Sequence, residues 1–119
     1  MDMDVDGHTA TLVSFAAGDT SLYLSSGGGT IGGSADHDVA AASRDFVAAA
    51  RPHLAAMAAP RDQPRPGRGE TSFYLITTAG LRGATRSTEA LVNETDALSP
   101  LFMAGQRVLH LILQASPSR

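Results

Sequence analysis

Apolar and polar positions follow two different periods along the chain, and the changes of period mark its elements. Leu12, Val13 and Phe15 lie between Thr11 and Ala17 and predict a strand, closed by the turn signal Gly18-Asp19. From Thr20 to Ser26 the alternation is strict: Leu22 and Leu24 share one face, and Ser21, Tyr23 and Ser25 the other. Gly27-Gly28-Gly29 ends that strand, and Thr30 to Gly33 predicts a short return with Ile31 facing in. The period then becomes helical. Ser34 or Asp36 suits an N-cap, and Asp38 falls in the first turn, where a carboxylate complements the helix dipole. To Ala59 the chain is Ala-rich, and Val39, Ala42, Phe46, Ala50 and Met57 fall on one stripe, flanked by Val47 and Leu54. Pro52 removes a backbone donor and clashes with the turn before it, so a kink or two segments is expected there.

Residues 60–69 hold Pro60, Pro64 and Pro66 with Arg61, Arg65 and Arg68, and predict an extended surface connection between two halves. Thr71 to Thr78 carries Phe73 and Leu75 on one face and Tyr74 and Ile76 on the other, which predicts a central strand. Ala79-Gly80 turns it, and Leu81 to Thr88 returns as a polar strand with Arg82 and Arg86. Asn93 to Asp96 is a loop. Ser99-Pro100 opens a last helix, Ser as cap and Pro at the first helical position, which Pro117 stops after Gln114.

A stretch recurs within this pattern. Gly18-Asp19-Thr20-Ser21-Leu22-Tyr23-Leu24 returns 51 residues later as Gly69-Glu70-Thr71-Ser72-Phe73-Tyr74-Leu75, and Gly29 and Gly32 fall on Gly80 and Gly83. Each copy reads as strand, glycine turn, second strand, then helix. The expected architecture is α+β: one antiparallel sheet of four to five strands with two long helices, built as two pseudo-repeated hairpin–helix units in a single domain spanning residues 1–119. Residues 1–9 are acidic and polar and are expected to fray.

The last helix carries more apolar surface than one core needs. At 100° per residue, Leu101, Ala104, Gly105, Val108, Leu111 and Ile112 cover one arc, and Phe102, Leu109 and Leu113 extend it to roughly 200°, against the ~100° stripe that packs one core. The excess predicts a homodimer through Phe102, Leu109 or Leu113; the competing arrangement has the first helix wrap round and cover it.

Composition narrows the function classes. The net charge of −3 argues against a nucleic-acid binder, and the bias of the nine basic residues, all Arg, carries little functional information. With no Cys, disulfides and thiolate metal sites are excluded. The acidic start is not that of a signal peptide, and no stretch approaches the ~20 apolar residues of a membrane span.

Motifs that carry chemistry are few. Gly27 to Gly32 satisfies G-x-G-x-x-G, but no helix opens from it and no parallel unit surrounds it, so a hairpin turn is the better reading. His8, His37, His53 and His110 are the only imidazoles. Asp36-His37-Asp38 points in diverging directions on a helix and cannot converge on a metal. His53 follows Pro52 on the apolar stripe, where its N–H could satisfy the carbonyl a kink frees. His110 belongs to the polar face of the last helix. No nucleophile elbow is present. Arg82 and Arg86, four residues apart on one strand face, lie about 13 Å from each other and with Arg61, Arg65 and Arg68 could receive an anionic ligand.

The order of elements resembles, in topology, roadblock- and longin-like domains, which place a meander sheet between helices. Ala97-Leu98-Ser99-Pro100-Leu101-Phe102 and the Thr20–Gly33 segment look like a group of small bacterial proteins of no assigned function. That resemblance implies a bacterial, cytoplasmic protein and no chemistry. The expected function is a non-enzymatic interaction or scaffold protein that partners itself and uses no cofactor, metal, nucleic acid or membrane. The alternative is an anionic-ligand binding protein or enzyme with a pocket between sheet and helices, drawing on Tyr23, Tyr74, His53 or the arginines.

Overall fold

The computed structural model describes residues 1–31 and 37–115, and they form an α+β fold. Strands β1 (Asp2–Val5), β2 (His8–Ser14), β3 (Thr20–Leu24) and β4 (Gly29–Ile31) precede helix α1 (His37–Ala50) and a 3-10 segment (Arg51–Ala56). Strands β5 (Glu70–Thr77) and β6 (Gly80–Ser87) lead to the short α2 (Thr88–Val92) and the long α3 (Ser99–Ala115). The strands make one antiparallel sheet in the order β4-β3-β2-β1-β5-β6. Five have four residues or more, and the three-residue β4 lies at one edge.

The strand absent from the sequence reading is β1. Residues 1–9 do not fray: β1 lies in the middle of the sheet, between β2 and β5. Its pattern is Met-Asp-Met-Asp-Val, a strict alternation that the acidic composition disguises. Met1 and Met3 face the core at 8% and 7% exposure, while Asp2 and Asp4 point to the opposite side of the sheet. The β1–β2 turn is Asp6-Gly7, with φ of 52° and 85°. Two successive positive φ angles make the primed hairpin turn whose twist matches the strands, and Asp-Gly is one of its preferred pairs.

The helices cover one face of the sheet. Pairing puts Met3, Ala10, Leu12, Leu22 and Phe73 on that face, where α1 and α3 lie against them. Leu22 and Phe73 share it, and Tyr23 and Tyr74 are on the other. Leu24, expected to be buried, is 43% exposed: α1 starts over the other end of β3, where Gly18 and Asp19 meet Ala40 and Ser43, and leaves Leu24 beyond its reach. Pro52 splits the first helical stretch as expected, α1 ending at Ala50 and a 3-10 turn following. The expected caps Ser34 and Asp36, the inward Ile31 side chain and the stop at Pro117 lie outside the described residues.

Most of the wide apolar sector of α3 is used inside the chain. Phe102 is 4% exposed and Leu109 is half-buried against the core, whereas Leu113 is 55% exposed. α1 packs along α3, and α2 packs against it as well. Gly105 makes the close approach possible: a Cβ there would lie 2.8 Å from Met1 Sδ and 3.0 Å from Phe46 Cε1. At its start, Leu98 N–H donates to Asp96 Oδ1 and Ser99 N–H to the Asp96 carbonyl, so Asp96 caps this end in place of Ser99, whose buried hydroxyl has no partner among the described residues. The expected loop after β6 contains α2, capped by Ser87 Oγ accepting from Ala90 N–H.

Two outcomes follow. Phe46 is 8% exposed among Met1, Gly105 and the sheet, so Phe46→Ala should cost ~3–5 kcal/mol, read as a lowered midpoint in urea. The Met1 ammonium donates to the Leu12 carbonyl at 2.9 Å, and its burial lowers its pKa from 8.0 to about 6. The folded state therefore prefers the neutral amine, and the unfolded chain binds more protons between those two values. Stability should rise with pH across that window, by roughly 3 kcal/mol at most, and be lowest below about 6. Acetylating the amine should remove this slope.

Candidate functional site

The candidate site is the sheet face that the helices leave uncovered, and alternation assigns its residues. Asp2 pairs with Thr11 on one side and Ser72 on the other, so these side chains share the face. Tyr23 opposite Thr11, and Thr85 opposite Ser72, extend the row. It is polar: Ser72 Oγ and Thr85 Oγ1 are 2.8 Å apart across β5 and β6. Asp4, two residues on, accepts from Gly7 N–H at 3.2 Å and Gly69 N–H at 2.9 Å, which ties the β1–β2 turn to the start of β5. In the other direction the face becomes apolar, with Val13, Phe15, Tyr74, Ile76 and Leu81. Phe15 is 55% exposed, Tyr23 46% and Ile76 85%.

One half of this face carries a strap. After the 3-10 turn, Ala58 bridges Gly83 on the outer edge of β6, with N–H···O bonds of 3.1 and 2.9 Å. The Pro/Arg segment then crosses toward β5, where Tyr74 Oη donates to the Pro64 carbonyl at 2.7 Å. Prolines lack a donor and hold an extended backbone, so this crossing needs few partners. Gly83 lets the Tyr74 ring lie flat over β6, because a Cβ there would come within 2.8 Å of Tyr74 Cδ1. An aromatic ring covering a cross-strand glycine shields the exposed backbone. Between strap and sheet runs a shallow, solvent-open groove of about 390 Å³ lined by Pro60, Asp62, Pro64, Tyr74 and Thr85.

The arginines are not gathered on one surface. The β5–β6 turn is Thr78-Ala79, one residue earlier than expected, and it sets Arg82 opposite Leu75 and Arg86 opposite Thr71. Both therefore share the helix-covered face, while Arg61 and Arg65 ride on the strap. Arg86 is half-exposed and engaged, its Nε 3.3 Å from Asp96 Oδ2, a pair that contributes at most about 1 kcal/mol at such exposure. Arg82 borders a second open groove with Leu54 and Thr77 to Ala79. His53 is half-buried in the 3-10 turn and makes no hydrogen bond among the described residues. His8, His37 and His110 are exposed, and among the described residues no group of His, Asp and Glu could hold a metal. Gly27 and Gly28, both at positive φ, close the β3–β4 turn as a hairpin. Gly32, the end of that motif, lies outside the described residues. No described helix is long and apolar enough to cross a membrane.

Sequence reasoning placed Tyr23 and Tyr74 on one face but missed the strap and the exposure of Phe15 and Ile76. The readable signal for the strap was Gly83 directly across the hairpin from Tyr74, once the turn is placed at Thr78-Ala79. No family model, curated protein or solved structure matches the chain.

The strap's attachment is testable by limited trypsin digestion. Gly83→Ala displaces the Tyr74 ring and should cost about 1–3 kcal/mol, with faster cleavage after Arg61 or Arg68. Tyr74→Phe removes one exposed hydrogen bond, worth about 0.5–1.5 kcal/mol, and should accelerate cleavage less.

Proposed function

We propose that this chain is a small non-enzymatic interaction protein of the bacterial cytoplasm, acting as a homo-oligomer. The observation that carries the proposal is the uncovered sheet face with Ile76, Phe15 and Tyr23 at 85%, 55% and 46% exposure. A sheet with one helix-covered layer ordinarily keeps its other face polar. Large apolar side chains left exposed on such a face mark a contact site. The dispersal of the arginines over two faces, and the open form of both grooves, favour this reading over an anionic-ligand pocket, where buried and convergent polar groups are needed. The internal recurrence fits the same picture: β3–β4 and β5–β6 lie at opposite edges, as two hairpins related by a pseudo-twofold would.

Light scattering at micromolar concentration should give about twice the 12.3 kDa chain mass. A monomer under those conditions, stabilised against heat by inorganic phosphate and destabilised by Arg82→Ala, would support the ligand-binding alternative.

A further inference from the structure

We draw no further inference here: the strongest candidate, the sheet face that the helices leave uncovered, where Phe15, Tyr23 and Ile76 are exposed beside the Pro/Arg strap, carries nothing, because nothing in the structure shows what covers it.

Discussion

The insertion of β1 between β2 and β5 is the constraint on which the rest of the structure depends. Without it the sheet would fall into two hairpin pairs, β3–β4 with β2 on one side and β5–β6 on the other. Its four residues supply hydrogen bonds to both neighbours, and Met3 within it and Met1 just before it place two methionine side chains in the core. Methionine suits that place, since an unbranched, polarizable chain fills the irregular space beneath two helices. Met1 reaches Gly105 of α3, Phe46 of α1 approaches the same glycine, and Gln106 Nε2 lies 3.0 Å from Met3 Sδ. Sheet and both long helices thus converge on the first three residues of the chain.

That convergence also decides which surface remains open. Two helices lie on one face of the sheet, and most of the wide apolar sector of α3 is buried inside the chain. Of the exposed large apolar side chains, Phe15, Tyr23 and Ile76 lie on the sheet's reverse side, while Met103 and Leu113 remain on α3. Among the described residues, the cover on the reverse side is the Pro/Arg strap, tied by Tyr74 and accommodated by Gly83. An edge strand with free backbone groups invites pairing with other chains, and Ala58 beside β6 blunts that edge. The strap leaves Phe15 and Ile76 exposed on the reverse side.

Much of this was legible in the sequence. The alternation of Leu22 and Leu24 with Tyr23, and of Phe73 and Leu75 with Tyr74, identified β3 and β5 and the faces of their side chains, because a strand's period of two is a property of its own backbone. Pro52 marked the end of α1 for a similarly local reason: a proline acts on the turn it sits in. The glycine turn after β3 was equally plain, whereas the turn after β5, expected at Ala79-Gly80, lies at Thr78-Ala79. The Met-Asp alternation of β1 and its Asp6-Gly7 turn were present too, though three carboxylates in six residues resemble a solvated terminus more than a central strand.

Tertiary structure decided the rest. A strand's period says which residues share a face, but the neighbours around it determine whether that face is covered, so Leu24 shares the face of Leu22 and was expected to be buried, yet lies exposed. The width of α3's apolar sector was readable; that Phe102 is buried and Leu109 half-buried while Leu113 stays exposed depends on how the elements pack. Arg82 and Arg86 shared a strand face on sequence grounds, yet the pairing of Arg86 with Asp96 joins residues that only the fold brings together. The sequence alone determined the local periods, turns and breaks of this chain, because these arise between near neighbours. Strand order, the docking of the strap and the identity of the uncovered face came from contacts between residues as far apart as Met3 and Gln106, which no local pattern encodes.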